Sequence, residues 1–546
     1  MLSPFFILSI RAVVHRLLLN DNFQENKSGI EHAQLKRLKL FKHFKQPAKI
    51  VTRQYSNEFA QVMAHAGVAP EDYVNLFDYF QEAVAVPSKV VTLADLHLNP
   101  KWQKKADGIN YNFYQHGQRV MYVRRRDNAQ KTIINQQIFD RFGKLVKVVW
   151  YDVRGFKSVE QLYDWNNRIT TENYYAPTGR LALSKFHFKN QRDQDLVSYH
   201  LNFRGQDYHF NGLDELTSFF YDQIVDDPAI NKGQKVGLIV DRVFEIGWAV
   251  LHMRRRVFRV MQLHNDQVIN NDDILHSALN FNYDWGLKNA AAWDGIGVLT
   301  PHQKADVKAR WQDSKVYLVP SAIVPDEVLN APRVDFASRQ LHQVVVVARL
   351  SPEKQQDHLL KVWPKVLAAV PDAQLDLWGY ANDKFDETLK QIVAEEGIEQ
   401  SVHFRGYAEQ VPEIDQKAQL MVLPTRGEGL AMALVEALSY GLPVIANDVP
   451  YGPSDIVVDG HSGYLTENGN LDQLAAKIIE LLRDQAKLAR FSAGAYEDAH
   501  RYSEANIMAA YQTIINDLAG WQVWDTLSMN IFLRAIPAWN TRSLNA

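Results

Sequence analysis

Between residues 343 and 449 the sequence alternates short, continuously apolar runs with longer amphipathic runs. The predicted strands are QVVVVARL (343–350), QLDLWGY (374–380), VHFRGY (402–407), QLMVLPT (419–425) and PVIANDV (443–449), and the predicted helices are 354–370 and 386–397. Because strands without polar alternation are buried on both faces, helices must cover both sides of one parallel sheet. The pattern predicts a Rossmann-like α/β domain, which binds ligands beyond the carboxyl ends of its strands.

A second set of apolar runs lies upstream and is interrupted by a stretch of different periodicity. Its predicted strands are 5–9, 48–53, 235–241, 257–264, 297–300 and 316–321, with a predicted helix at 30–44. Between them, segments such as NRITTENYYAPTGRLALSKFHF alternate apolar and polar residues, which is typical of antiparallel hairpins. We predict an α/β chain with two Rossmann-like domains and an inserted antiparallel β-sheet. Residues 1–80 and 211–335 form the two parts of the N-terminal domain, 81–210 the insertion, 336–520 the C-terminal domain and 521–546 a tail.

The composition limits the classes of function. The 546 residues are too many for one hydrophobic core, and the absence of cysteine excludes disulfides, iron–sulfur clusters and thiolate zinc sites. A formal net charge of -3 gives no overall attraction to polyanions, so nucleic-acid binding is not predicted. The apolar N-terminus is interrupted by Arg11, His15 and Arg16, is too short to span a bilayer and lacks a small-residue cleavage site. We predict a buried strand at Phe5–Ser9; a membrane-surface helix is the alternative.

The segment PTRGEGLAMALVEALSYGLPVIANDVPYGPSDIV places Glu428 and Glu436 eight positions apart. A helix is predicted to begin near Leu430, where unpaired N–H groups and the helix dipole favour a phosphate. Along that helix the carboxylates are on the order of 10 Å apart, which suits the sugar and the ribose at the two ends of a nucleotide sugar. Helix propensity alone also favours glutamate here. However, Arg349 and Lys354 follow the first strand of the domain and are expected to neutralise a diphosphate in the same crevice.

These residues belong to a recognisable pattern. RLSPEK, GY, FRGY and EGLAMALVEALSYGLPVIANDVPYGPSDIV together resemble the retaining GT-B glycosyltransferases of the family 4 type, and most of all the bacterial poly(glycerol-phosphate) α-glucosyltransferases of wall teichoic acid synthesis. NKSGIEHAQLKRLKLF and the predicted insertion extend the resemblance over nearly the whole chain. The resemblance implies two Rossmann-like domains facing a cleft, with a nucleotide sugar bound by the C-terminal domain and the acceptor bound by the insertion.

The resemblance also implies roles for individual residues. Glu428 would contact the donor sugar and Glu436 the ribose, while Arg349 and Lys354 would hold the diphosphate and His264 would approach the reacting carbon. The other donor contacts that it implies are Gly429, Leu430, Arg405, Gly406, Tyr407 and Gly29. Many relatives have two glycines where this chain has Gly29 alone, which weakens the expected contact between that loop and phosphate.

No Asp-x-Asp motif stands where it would hold a metal at a diphosphate, and Asn271-Asp272-Asp273 is predicted to cap a helix instead. We therefore expect no metal and no other cofactor, and the family implies transfer of glucose from UDP-glucose with retention, through front-face attack. The implied acceptor is a lipid-linked teichoic acid polyanion, and the expected location is the cytoplasm, with peripheral association at the inner membrane face. The candidate acceptor-binding residues are basic clusters at 101–105 and 253–256 and at Arg124, Arg125 and Arg126.

Two other functions stay open. A protein O-glycosyltransferase that adds N-acetylglucosamine to serine-rich adhesins belongs to a family that shares the inserted sheet and the glutamate pair. A non-catalytic partner subunit would keep the fold for acceptor binding, although the intact Glu428, Glu436, Arg349 and Lys354 argue against a degenerate site. The sequence does not decide which hexose is transferred, whether the acceptor contains glycerol or ribitol phosphate, or whether the protein forms a homo-oligomer.

Overall fold

The computed structural model describes residues 14–127, 131–381, 383–408 and 410–521. The first described elements are three strands and three helices of an α/β unit. They are β1 (Val14–Leu19), α1 (Gly29–His43), β2 (Ala48–Thr52), α2 (Phe59–His65), β3 (Tyr73–Asn75) and α3 (Leu76–Phe80). Helix α1 begins with Ser28 as its N-cap, and the Glu31 side chain completes a capping box with the Ser28 backbone.

A ten-stranded antiparallel sheet follows, in which each strand pairs with its neighbours in sequence. Its strands are β4 (Gln103–Asp107), β5 (Asn110–Gln115), β6 (Gln118–Arg125), β7 (Ile133–Phe139), β8 (Leu145–Tyr151), β9 (Lys157–Tyr163), β10 (Ile169–Tyr175), β11 (Leu181–Lys189), β12 (Asp195–Phe203) and β13 (Gln206–Phe210). Tyr174, Leu201 and Phe203 join the core of the first α/β unit, whereas Phe113 and Val123 lie in a separate small core. The predicted inserted sheet is therefore present, and it is anchored to the body through its later strands.

The chain then returns to the first α/β unit. The elements of this part are α4 (Leu213–Asp226), α5 (Pro228–Asn231), β14 (Lys235–Val240), α6 (Val243–Leu251), β15 (Phe258–Gln262), α7 (Asp284–Lys288), β16 (Gly295–Val298), α8 (Pro301–Arg310), β17 (Val316–Leu318) and α9 (Asp326–Leu329). The strands form one seven-stranded sheet in the order β17-β16-β15-β14-β1-β2-β3, and all of their pairings are parallel.

The C-terminal part forms a second parallel sheet, with six strands in the order β20-β19-β18-β21-β22-β23. Its elements are β18 (Gln343–Val347), α10 (Gln356–Ala369), β19 (Gln374–Trp378), α11 (Phe385–Glu395), β20 (Val402–Gly406), α12 (Val411–Lys417), β21 (Leu420–Leu423), α13 (Met432–Ser439), β22 (Val444–Asn447), α14 (Pro453–Ile456), β23 (Gly463–Thr466), α15 (Leu471–Arg483), α16 (Gln485–Ala499) and α17 (Glu504–Gly520). The predicted fold class, two Rossmann-like units with an inserted antiparallel sheet, is confirmed.

The first strand of the first sheet differs from the sequence expectation. The predicted strand Phe5–Ser9 lies outside the described residues, and the first described strand is β1, which lies between β14 and β2 and contains His15 and Arg16 with 3% and 1% of their surface exposed. Arg16 donates hydrogen bonds to the Gln46 side chain (3.1 Å) and the Pro47 carbonyl oxygen (3.3 Å). Burial lowers the pKa of His15 to about 4, with Lys49 adding to the effect, so its ring is buried uncharged at neutral pH.

Helix α17 returns to the first sheet. Tyr511 packs edge-on against Phe41 of α1, with ring centroids 5.1 Å apart, and the Leu518 side chain fills the space above Gly237 of β14. The predicted boundary at residue 520 groups this helix with the C-terminal sheet, but its apolar face covers β1 and β14. Across the described residues we find no helix with both the length and the apolar character that crossing a bilayer requires.

Candidate functional site

A cleft of about 1940 Å³ lies between the two parallel sheets and is lined by loops from both. It contains seven of the residues that the sequence singled out, namely Gly29, His264, Arg349, Lys354, Glu428, Gly429 and Leu430. These residues follow β15, β18 and β21 or open helix α1, so the carboxyl ends of strands from both sheets meet here, as open α/β sheets require.

The two cations predicted to hold the diphosphate each pair with a carboxylate. Lys354 Nζ lies 2.5 Å from Glu428 Oε1, and these side chains are 14% and 11% exposed. Arg349 pairs with Glu353 at 3.0 Å but is half-exposed. The backbone carbonyl of Glu353 accepts hydrogen bonds from the Thr425 hydroxyl and from the Arg426 backbone, both at 3.0 Å. The loop that carries Lys354 and the loop that carries Glu428 are therefore fastened to each other.

Helix α13 begins two residues later than predicted. Ala431 has a φ of 57°, a left-handed conformation that an α-helix cannot contain, so the helix starts at Met432 and Leu430 belongs to the preceding loop. Gly429 lies directly against the other domain, because a Cβ at this position would stand 2.0 Å from the His264 carbonyl oxygen. Only glycine permits this approach of the two loops.

His264 is fixed by a buried charge cluster. Its Nε2 lies 2.7 Å from Asp241 Oδ1, and Asp241 accepts two hydrogen bonds of 3.0 Å from Arg37 and one of 2.6 Å from Gln34. Burial by itself would raise the pKa of Asp241, but Arg37 and His264 outweigh it and lower the pKa to about 2. Asp241 is therefore a permanent carboxylate that orients the histidine ring in the cleft.

The second glutamate lies outside the cleft lining. Glu436 forms an ion pair with Lys36 of α1, and the neighbouring His32 ring lies 3.4 Å from the Tyr407 hydroxyl. Gly29 brings the two domains together at the same face, since a Cβ on it would stand 3.7 Å from the methyl group of Met432. The ribose-binding role of Glu436 stays a prediction, and that role requires the Lys36 pair to open or to share the ligand.

The predicted donor contacts Arg405, Gly406 and Tyr407 stand at the rim of the cleft. Arg405 and Gly406 end β20, and Arg405 pairs with Asp376 at 3.0 Å. The Tyr407 ring lies 6.0 Å from the ring of Tyr380, which does line the cleft. Arg405, Gly406 and Tyr407 do not themselves line it, so Tyr380 is the aromatic residue that connects them with the cleft.

The predicted acceptor arginines lie at the end of β6 of the inserted sheet, with Arg126 directly after the strand, and do not line the cleft. Arg124 is exposed, Arg125 is buried with its guanidinium over the Tyr111 ring, and Arg126 pairs with Glu58 at 2.7 Å. The other two basic clusters also differ from one another. Lys104 and Lys105 are exposed on the edge strand β4, whereas Arg255 and Arg256 pair with Asp226 and Asp294.

The predicted helix cap at Asn271-Asp272-Asp273 is wrong. These residues form a turn in which Asp273 accepts a hydrogen bond of 3.1 Å from the His276 backbone, and no helix follows. A short polar side chain can close a turn in the same way as it caps a helix, so the sequence does not distinguish the two.

Several cleft residues were not predicted from the sequence. Asp241 ends the predicted strand KVGLIVD, which is the position where functional side chains of a parallel sheet are expected, and this signal was available. Asp266 stands two residues beyond His264 in the same loop. Arg242, Arg426 and Tyr380 also line the cleft, and each stands at or directly after the carboxyl end of a predicted strand, so the same signal was available for them.

Comparisons with known proteins agree with this architecture. Residues 335–498 match the family model described as glycosyl transferases group 1. The chain is 24% identical over 477 residues to a poly(glycerol-phosphate) α-glucosyltransferase of Bacillus subtilis (strain 168), which covers 85% of this chain and 65% of that relative. It is also 24% identical over 510 residues to the GtfA subunit of a UDP-N-acetylglucosamine–peptide N-acetylglucosaminyltransferase of Streptococcus gordonii, covering 90% of this chain and 96% of that one.

A solved structure shares the complete fold. The pneumococcal O-GlcNAc transferase GtfA, crystallised with UDP and GlcNAc, superimposes with a TM-score of 0.79 at 19% identity and covers 93% of this chain and 99% of its own. Its likeness extends over both parallel sheets and the insertion, which confirms the GT-B fold. The chain therefore has the GT-B fold, and residues 335–498 form a glycosyl transferases group 1 domain.

Proposed function

We propose that the chain is a UDP-sugar-dependent hexosyltransferase that transfers glucose from UDP-glucose to hydroxyl groups of poly(glycerol phosphate). The observation that carries this proposal is that Lys354 and Glu428 from one domain meet His264 from the other in a single cleft. A cation can neutralise a diphosphate, and a carboxylate can accept hydrogen bonds from sugar hydroxyls. A histidine where the two domains meet can approach the sugar near the reacting carbon.

In the proposed reaction Lys354 and Arg349 neutralise the diphosphate, because fixed cations stabilise the charge that develops on a leaving group. Both cations are already oriented by carboxylates. When the diphosphate takes over Lys354, Glu428 is released to accept hydrogen bonds from the sugar. The acceptor oxygen bonds to the anomeric carbon on the face from which UDP departs. Because the new bond forms on the face where the bond to UDP breaks, the configuration is retained, and the acceptor proton passes to the departing phosphate.

The acceptor assignment rests on the relative from Bacillus subtilis, whose name contains this acceptor, and on the exposed cations of the inserted sheet. Lys104, Lys105 and Arg124 are available to an extended chain of phosphates. In this proposal the polymer is lipid-linked, and it brings the enzyme to the inner face of the membrane.

One observation favours a second candidate function. The chain spans 96% of the Streptococcus gordonii relative but only 65% of the Bacillus subtilis one. The second candidate is therefore transfer of N-acetylglucosamine from UDP-N-acetylglucosamine to serine-rich protein. The two candidates share the cleft and the leaving group and differ in the sugar and in the acceptor.

The deciding experiment combines purified protein with UDP-glucose or UDP-N-acetylglucosamine and with poly(glycerol phosphate) or a serine-rich peptide. UDP release and product mass are measured in all four mixtures. Glucose on the polyol phosphate, lost in Glu428→Gln, supports the first candidate, and N-acetylglucosamine on the peptide supports the second. No transfer in any mixture contradicts both and favours a non-catalytic partner subunit.

We also propose that no metal ion takes part, because Lys354 and Arg349 supply the positive charge that a metal would bring to the diphosphate. Treatment with EDTA is expected to leave the rate unchanged. Loss of activity that manganese restores would refute this proposal.

The acceptor surface has its own test. Replacing all three predicted acceptor arginines would remove the buried Arg125, so Arg124→Glu is the informative variant. It should raise the KM for poly(glycerol phosphate) while leaving hydrolysis of the donor unchanged. Arg490→Glu, on an exposed position of α16, is the control for the change in net charge. Equal effects of Arg124→Glu on acceptor KM and donor hydrolysis would refute the assignment.

A further inference from the structure

Asp266 is a carboxyl group of the cleft that the proposed reaction does not use. It lies in the loop after β15, two residues beyond His264, and it lines the cleft. Its Oδ2 stands 2.9 Å from the position that a Cβ on Gly427 would take. Its side chain is therefore directed at the loop of the other domain that carries Glu428.

The hydrogen bonding of this loop is incomplete. The Oδ1 atoms of Asn265, Asp266 and Asn271 are all buried without a hydrogen-bond partner among the described residues, and all three residues line the cleft. Buried polar atoms are rarely left without a partner in folded proteins. These three atoms belong to one loop whose residues line the cleft, and a molecule bound there can supply their missing partners.

The charges around Asp266 define the chemistry of that molecule. Lys354 is the cation that influences Asp266, but it pairs with Glu428. Burial is the main reason why the pKa of Asp266 is raised to about 7, and the negative charge of Glu428 acts in the same direction. A hydrogen bond with the Asn271 side chain and the positive charge of Lys354 act to lower this pKa. The more distant groups that sense Asp266 are the buried hydroxyls of Tyr283 and Tyr451.

These surroundings favour a group that can donate hydrogen bonds. A phosphate has no hydrogen to give to carboxyl and amide oxygens, and it would be repelled by the nearby Glu428. A sugar hydroxyl can both donate and accept, so it satisfies Asp266 in either protonation state.

We infer that Asp266 is a further sugar-binding residue of the cleft, which contacts a hydroxyl of the transferred sugar beside Glu428, with Asn265 and Asn271 as its neighbours in the same subsite. The inference rests on the proposed function, because it presupposes that a nucleotide sugar occupies the cleft. It separates the recognition of the sugar, on the loop after β15, from the recognition of the diphosphate, on Lys354 and Arg349.

The test compares the affinity for UDP with the affinity for UDP-glucose and for UDP-N-acetylglucosamine, by titration calorimetry, in the wild type and in Asp266→Ala. We expect the variant to bind UDP within about twofold of the wild type and to lose about tenfold in affinity for the UDP-sugar, the usual effect of leaving buried groups unpaired. Asp266→Asn keeps the size and hydrogen-bonding capacity of the side chain and should restore most of the loss. Asp313→Ala, which removes an exposed carboxylate outside the cleft, is the control.

Each outcome decides the inference. An equal loss for UDP and UDP-sugar means that Asp266 only supports the loop, and unchanged affinity for both means that it makes no contact; either result overturns the inference while the proposed function stands. Failure of the wild type to bind UDP overturns both. If Asp266→Ala does not fold, Asn271→Ala gives the same ratio test on the neighbouring oxygen, with the same expected direction.

Discussion

Replacing Arg37 by methionine tests whether the buried cluster behind His264 is a structural unit. The change keeps most of the side-chain volume but leaves the fully buried Asp241 with only Gln34 and His264 as partners. Removing one partner of a buried ion pair costs about 3–5 kcal/mol. Burial alone would raise the pKa of Asp241, and Arg37 is the largest of the opposing influences that lower it, which agrees in direction with this loss. We therefore expect a loss of about 3 kcal/mol.

The assay is thermal unfolding followed by calorimetry at pH 7. A loss of about 3 kcal/mol lowers the Tm by roughly 6–12 °C in a domain of this size. The matched control is Lys42→Met on the same helix, where the ion pair with Asp72 is more than half exposed at the lysine and is worth at most about 1 kcal/mol. Equal Tm values for Arg37→Met and Lys42→Met would refute the reasoning, because the Arg37–Asp241 pair would then contribute no more than a surface pair.

Two further perturbations test the cleft. The pKa of Asp266 is raised to about 7 in the folded protein. Between about pH 4 and pH 7 the carboxyl group ionises in the unfolded chain before it ionises in the folded protein, so the free energy of unfolding falls as pH rises. Asp266→Asn should therefore have a higher Tm than the wild type at pH 8 but not at pH 4, and equal Tm differences at both pH values would contradict this. A Cβ at Gly429 would collide with the His264 carbonyl oxygen, so Gly429→Ala should lower kcat/KM by roughly 10–100-fold. Gly212→Ala is the control, because a Cβ there meets no atom within 4 Å, and it should not lower kcat/KM. Equal activity of the two variants would show that the two loops need no close approach.

The C-terminal sheet was predictable because its strands obey one simple rule. Each of β18, β21 and β22 is a continuous apolar run between turn residues, and the predicted segments contain the observed strands. The same rule places Arg349, Lys354 and Glu428 after strand ends and so predicts that they share a crevice. Their meeting with His264 depended on the resemblance to GT-B enzymes, since nothing in the spacing of a sequence relates two separate sheets.

Where the prediction missed, long-range packing decided the outcome. Strand β1 carries Arg16 in the middle of a buried sheet, and its charge is accommodated by Gln46 and Pro47, about 30 positions away. Helix α17 belongs by sequence to the C-terminal unit, yet it covers the first sheet. Asp266 was not singled out, because its place beside Gly427 depends on how the two domains face each other. Local patterns do not encode such contacts.

Titration calorimetry of UDP binding to the wild type and to Lys354→Met tests whether the cleft holds the diphosphate of a nucleotide sugar. We predict that the wild type binds UDP and that Lys354→Met binds it about 10–100-fold more weakly, which is the usual effect of losing a charged hydrogen-bond partner. Absence of binding to the wild type, or equal affinity in Lys354→Met, would contradict the claim that this cleft holds the diphosphate of a nucleotide sugar.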